Sequence, residues 1–282
     1  MAQDKYTALW VSHSSLNDFI KCPRSYYLKS IYRNERGRKI NVVSPALSLG
    51  SAVHETLEGL LNYKAEERGK QPLLEQFEEN WKKYSGKNGG FKSEAEEAEN
   101  KARGRAMIER VAKNMGPLLE KAVKLPEHQN NMPPNFFLSD EENIILNGKI
   151  DWLQYVPADD SVRVIDFKTG KNDEDKDSLQ LPIYVLLLAH EQKRKVSGVY
   201  YWYIERADEP VAMPMPNTES AKEKIITIAK KIKAAKAIGE SAFVCPRKGM
   251  KCFACGPFEK ILKGEAELVK VDESRKTEMY LV

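Results

Sequence analysis

The chain has 282 residues, 45 Lys and Arg against 41 Asp and Glu, 41% hydrophobic and 30% charged positions, and four cysteines. This balance excludes wholesale disorder and a disulfide scaffold, and an apolar run no longer than residues 183–189 excludes a membrane-spanning helix. The opening Met1-Ala-Gln-Asp-Lys-Tyr has no apolar signal core, so a cytoplasmic protein is expected, or a phage-encoded one acting in its host's cytoplasm.

A helix is predicted from Ser14-Ser15 through Ile20, a serine cap followed by Leu16, Phe19 and Ile20 at helical spacing. Pro23 should kink or restart it before Tyr26, Tyr27, Leu28 and Ile31. Residues 46–64 read as a second helix with Val53, Leu57, Leu60 and Leu61 on one face. A shorter helix gathers Leu73, Leu74, Phe77 and Trp81, and residues 93–124 read as one long charged helix with Met107, Val111 and Leu118 inward. The period then falls to two. Strands are expected at 136–138, 143–156 and 161–168, with 157–160 as the turn between the last two. A helix at 177–194, an aromatic strand at 196–204, a Lys-rich helix at 218–237 and an edge strand at 279–282 follow. Strands interleaved with helices after a helical first 125 residues predict an α/β or α+β protein.

The net charge of +4 hides an uneven distribution. Residues 21–39 hold seven basic side chains and one acid, residues 222–263 eleven and three, which leaves −10 for the rest. Two basic segments on an otherwise acidic chain suit a polyanion-binding face, although solvated helix faces give the same pattern.

Chemistry concentrates in Val164-Ile-Asp166-Phe-Lys168-Thr-Gly170. On a strand, Asp166 and Lys168 share one side while Ile165 and Phe167 turn to the other. A hairpin centred between residues 158 and 159 sets Asp151, from Asn147-Gly-Lys-Ile-Asp151, opposite Asp166. Two facing carboxylates repel unless a cation lies between them, which is the logic of a Mg²⁺ or Mn²⁺ site. A lysine two residues on can orient a water or neutralise charge in a phosphoryl transition state. Gln180 and Tyr184 share a helix face, and His54 sits in Leu49-Gly-Ser-Ala-Val-His54, whose small residues allow close backbone approach.

Gly50 to His54, Gly148 to Asp151, Asp166 to Lys168 and Gln180 to Tyr184 together resemble the RecB-like branch of the PD-(D/E)xK nuclease superfamily, with Ile150 in place of the family's proline. The resemblance implies a restriction-endonuclease-like α/β core: a mixed central sheet flanked by helices, a helical N-terminal region and a C-terminal cysteine segment. One nuclease domain over 1–282 is then expected, with 65–130 as a helical insertion, 130–205 as the catalytic sheet core and 240–260 as the cluster-binding segment. Asp151 and Asp166 would bind Mg²⁺ or Mn²⁺, joined by His54 and the main-chain carbonyl of Phe167. Lys168 would position or activate water, and Gln180 and Tyr184 would contact the substrate or brace the lysine. The implied reaction is hydrolysis of DNA, single-stranded or at ends, by an exonuclease. A non-catalytic DNA-binding subunit of a recombination or CRISPR-adaptation complex is the alternative.

Cys22, Cys245, Cys252 and Cys255 are the four thiols. Clustered thiols without a secretory signal suit an iron–sulfur cluster or a structural zinc. Cys22-Pro-Arg-Ser-Tyr-Tyr resembles the first element of RecB-like nucleases that hold a [4Fe–4S] cluster, and implies one here. The C-terminal order differs from theirs: the lone Cys245 precedes the Cys252-Phe-Ala-Cys255 pair. Such a site would staple the two basic segments together, with Tyr26, Tyr27, Tyr32, Phe243, Phe253 and Phe258 interleaved, some packing the core and others free to stack on unpaired bases.

Overall fold

The structure, a computed structural model, describes residues 4–125, 132–247 and 251–282. Residues 126–130, the end of the expected helical insertion, and Lys248 of the second basic segment lie outside them. In chain order the elements are β1 (Leu9–Val11), α1 (His13–Lys21), α2 (Pro23–Tyr26), β2 (Lys39–Val42), α3 (Pro45–Glu58), α4 (Ala65–Arg68), α5 (Leu73–Trp81) and α6 (Glu94–Lys113). There follow β3 (Asn135–Ser139), β4 (Ile144–Asn147), β5 (Trp152–Val156), β6 (Ser161–Lys168), α7 (Gln180–Glu191), β7 (Val196–Tyr203) and β8 (Val211–Met213). The last are α8 (Thr218–Ile238), α9 (Gly256–Leu262), β9 (Glu267–Asp272) and β10 (Thr277–Leu281). They fall into two compact units, one of Met1–Ser44, Phe137–Leu146 and Lys222–Val282, the other of Pro45–Phe136 and Asn147–Ala221. No helix among the described residues is long and apolar enough to cross a membrane.

The second unit is built on a four-stranded sheet in the order β5-β6-β7-β8. β5 and β6 are antiparallel, β6 and β7 parallel, β7 and β8 antiparallel. The β5–β6 hairpin pairs Trp152 with Ile165 and Val156 with Ser161. Its four-residue turn ends on Asp160 at φ 47°, a left-handed position that Asp tolerates. Continued one step past Trp152, this register sets Asp151 opposite Asp166, as the turn position predicts. One sheet face carries Trp152, Ile165, Phe167 and Trp202, which pack with Leu57, Phe77, Met107 and Val111 of α3, α5 and α6 into a single core. At about 1.5–3 kcal/mol per buried large side chain, this core is the main force holding the sheet to its helices.

Several boundaries differ from the sequence expectation. The long helix stops at Lys113, because Gly116 takes φ 41° and Pro117 follows it, so Leu118 is buried from a separate 3-10 turn. The single strand expected at 143–156 is two: β4 ends at Asn147, and β5 starts at Trp152 in a different sheet. α7 starts at Gln180, not 177, after a turn in which the Asp177 amide donates to Asp175.

In the first unit, Ser12 rather than Ser14 caps α1, exchanging hydrogen bonds with Ser15 in a capping box. Pro23 restarts the helix: Cys22 is extended, caps α2 with its sulfur and leaves Pro23 at the first position, where no amide is needed. The unit holds β1 parallel to β4, and a sheet in the order β2-β10-β9. The C-terminal strand is therefore not an edge. It runs between β2 and β9, and its buried Glu278 accepts hydrogen bonds from Asn34, Arg38 and Tyr280.

Candidate active site

Asp166 is the hub of the second unit's polar cluster. It is only 1% exposed, so the face opposite the core is covered too, by α7. The Tyr184 hydroxyl donates to its Oδ1 at 3.1 Å and Gln180 Nε2 donates to the same oxygen at 2.8 Å. Gln180 also donates to the Tyr184 hydroxyl at 3.1 Å and accepts from Lys168 Nζ, so one amide ties the carboxylate to the lysine. Lys168 Nζ lies 2.9 Å from Asp166 Oδ2 and 3.1 Å from Glu174 Oε2, over the Tyr201 ring at 4.9 Å.

Asp151 joins from the strand start. Its Oδ2 accepts the Phe167 amide at 2.8 Å, which fixes the carboxylate between the two strands. Its Oδ1 is 3.5 Å from His54 Nδ1, and the same nitrogen is 3.7 Å from Glu58 Oε1. His54, Glu58 and Asp151 each offer a ligand atom within 4.8 Å of the others. Two glycines make room for this approach. A Cβ on Gly50 would stand 3.3 Å from Thr169 Oγ1 just past β6, and one on Gly148 would stand 2.9 Å from Leu187 Cδ1 of α7.

All the sequence-predicted residues of this site thus fall together: His54, Asp151, Asp166, Phe167, Lys168, Gln180 and Tyr184. Glu58 and Glu174 were not foreseen. Glu58 follows His54 by one helical turn, a spacing that could have found it. Glu174 lies in the acidic run Asp173-Glu174-Asp175, where nothing distinguishes one carboxylate from the next.

The electrostatics call for a cation. Burial, then the nearby Asp151 charge, push the Asp166 carboxyl up to about 7, against the pull of Lys168. Burial acts against the His54 imidazolium, but hydrogen bonding to Asp151 and Glu58 outweighs it and raises the ring to about 10. The buried Asp166 Oδ2 has the Lys168 ammonium at 2.9 Å. A buried carboxylate beside a second carboxylate and an imidazole suits a hard divalent ion such as Mg²⁺ or Mn²⁺.

Residues 10–256 match the profile of the PD-(D/E)XK nuclease superfamily. The chain belongs to this superfamily. No curated protein matches the sequence. As a PD-(D/E)XK protein it has the restriction-endonuclease-like α/β fold, and its general chemistry is that of a metal-dependent nuclease, with DNA as the substrate such an enzyme takes.

The PD-(D/E)XK chain carries a second metal-compatible group in its first unit. The sulfurs of Cys22, Cys245, Cys252 and Cys255 all lie within 4.8 Å of one another. Backbone amides point at three of them: Ser25 donates to Cys22 at 3.4 Å, Arg247 to Cys245 at 3.3 Å, and Ala254 and Cys255 to Cys252. Burial raises the Cys252 thiol, but these amides outweigh it and bring it down to about 7. Burial pushes Cys22 up to about 11 and Cys255 higher still, so closing all four as thiolates requires a cation. Four sulfurs gathered this closely suit a single thiolate-bound metal centre.

Several charges of the first basic segment are paired with acids. Arg24 pairs with Glu240 at 2.6 Å and Glu259 at 2.7 Å, Lys29 with Asp18 at 2.6 Å, and Arg38 with Glu273 at 2.7 Å. Arg36 reaches Glu278 at 3.5 Å, and Arg33 donates to the carbonyls that end the turn at residues 30–32. In the second segment Lys230 pairs with Glu142 and Lys233 donates to the Glu142 carbonyl. The two basic segments are therefore partly paired: Asp18, Glu142, Glu273 and Glu278 offset some of their charge, while Arg24 pairs with Glu240 and Glu259 of the second segment itself.

Proposed function

We propose that the protein is a Mg²⁺- or Mn²⁺-dependent DNA exonuclease acting on single strands or ends. The observation that carries this reading is the Asp166 cluster, where one buried carboxylate is bound to Tyr184 and Gln180, ion-paired to Lys168 and set beside Asp151. Asp151 and Asp166 would hold the ion, with His54 and the Phe167 carbonyl as further ligands; Glu58 lies within reach of His54 and Asp151. When bound, the ion supplies Lewis-acid activation of the phosphoryl group and a more acidic water. Gln180 holds Lys168 and Asp166 in one geometry, so the lysine is aimed rather than mobile. Lys168, kept cationic by Asp166 and Glu174 despite its burial, would orient the attacking water and offset charge on the phosphoryl oxygens. Tyr184 supports Asp166 from α7.

The cysteine group is proposed as a bound thiolate metal centre that holds the N-terminal helix to the C-terminal segment. The resemblance to cluster-bearing RecB-like nucleases supports [4Fe–4S], and four gathered thiols suit zinc as the alternative. An optical spectrum separates them: a cluster absorbs broadly near roughly 400 nm and zinc is colourless.

The test of catalysis is cleavage of end-labelled single- and double-stranded DNA, with end-blocked and circular controls. Asp166→Ala and Lys168→Ala should each abolish cleavage in Mg²⁺ and Mn²⁺ while the circular dichroism spectrum stays unchanged. Full activity in either purified variant overturns the assignment, and cutting of circular DNA overturns the exonuclease reading.

A further inference from the structure

Of the aromatic residues near the cysteines, Tyr26, Phe243 and Phe258 are each only 3% exposed. Phe19, Tyr26, Tyr27 and Phe243 pack edge to face and face to face within the first unit. Phe253 does the opposite: it is 91% exposed. It is also held more firmly than an exposed loop residue needs to be. Its neighbours Cys252 and Ala254 are both anchored, the first by burial and by the Ala254 and Cys255 amides on its sulfur, the second by a 3.1 Å hydrogen bond from Ser25 to its carbonyl. Two residues on, Cys255 is buried and opens α9, with the Gly256 amide donating to Cys252 at 2.8 Å. A full aromatic face is thus presented to solvent on a backbone with little freedom left to lose.

The knuckle's own stretch of sequence carries charge of one sign. Arg247 and Lys251 are exposed beside the knuckle, and no acid occurs in the sequence from residue 241 to residue 258. A fixed π-face next to cations is the composition of a single-strand binding platform, because every unpaired base offers a face to stack and a phosphate to pair. A duplex offers only the phosphate, since its bases already stack on each other.

We propose that Phe253 is a stacking platform for one base of an unpaired DNA strand, with Arg247 and Lys251 meeting the adjoining phosphates. The proposal rests on the reading of the protein as a DNA nuclease and adds the element that prefers single strands. Because the knuckle is fixed before binding, little ordering entropy opposes the contact.

The experiment is fluorescence anisotropy of a labelled oligothymidine on the full chain carrying D166N, so that the strand survives. Phe253→Ala should weaken binding about 5- to 150-fold, Phe253→Leu by a similar factor, and Phe253→Trp should bind within about twofold of the parent. A blunt duplex should change by less than about twofold in all three. Metal analysis of each variant reports the cysteine site independently, and the Leu and Trp forms keep the side-chain bulk. The proposal is overturned if Phe253→Ala binds the single strand like the parent, if Trp fails to restore what Leu loses, or if the duplex weakens equally. Failure of the nuclease reading is a separate result: the unmutated chain would leave end-labelled DNA uncut in Mg²⁺ and Mn²⁺.

Discussion

At the scale of single residues, the Asp166 cluster carries an electrostatic cost when its carboxyl is ionised. Burial and Asp151 raise the Asp166 carboxyl to about 7, so protonation accompanies folding. The sign follows: this group's contribution is fully present below its unfolded value near 3.8 and is lost as pH climbs toward 7. Asp166→Asn should therefore stabilise the metal-free chain by about 1–3 kcal/mol at pH 8, seen as a higher thermal midpoint. The same substitution should erase the further rise that Mn²⁺ gives the parent; an undiminished Mn²⁺ effect would exclude Asp166 as a ligand. Binding should also release protons, since Asp166 must ionise and His54, raised to about 10, must become neutral to ligate. Calorimetry in buffers of different ionisation enthalpy should count about two protons per Mn²⁺ at pH 6 and about one at pH 8. His54→Ala should lower both counts by about one. Most of this cluster was legible in the sequence, because strand alternation and one turn position fix where Asp151, Asp166 and Lys168 face. Glu174 was not, because its position depends on how an acidic loop folds back onto Lys168.

Among the elements, the site depends on how closely α7 approaches the segment before β5. Gly148 sets that distance, because any Cβ there meets Leu187, which is itself fully buried. Gly148→Val should cost about 1–3 kcal/mol in denaturant unfolding. It should also lower the cleavage rate, since Gln180 and Tyr184 ride on the displaced helix. A variant as stable and active as the parent would mean that the helix adjusts without moving its polar face. Long periodic elements such as α3, α5, α6 and α8 could be read from sequence because their apolar stripes span several turns. The missed strands β1, β2, β8 and β9 are short and carry residues such as Lys39, Glu267 and Lys270, which give no clean alternation. β10 was read as an edge because its two partners were invisible, one of them more than 230 residues upstream.

For the whole molecule, charge is divided between pairing and exposure. Of the net +14 in two segments, the structure matches Arg24, Lys29, Arg38 and Lys230 with acids and leaves Arg247 and Lys251 exposed beside the knuckle. Arg24→Ala or Arg38→Ala should thus lower thermal stability and hardly change DNA affinity. Arg247→Ala and Lys251→Ala should leave stability alone and each reduce the slope of log K against log salt by about 0.7 on single strands. The reverse pattern would restore the broad face. Sequence segments report charge but not its partners, which come from chain far away. That same distance governs the order of events during synthesis. The residues proposed for catalysis all lie between His54 and Tyr184, whereas Cys22 waits for Cys245, Cys252 and Cys255. At about 5–20 residues per second, the interval from the first thiol to the last is on the order of 10–50 s. The second unit's chain emerges in full within that interval, so the four thiols meet only after every residue of that unit has been synthesised.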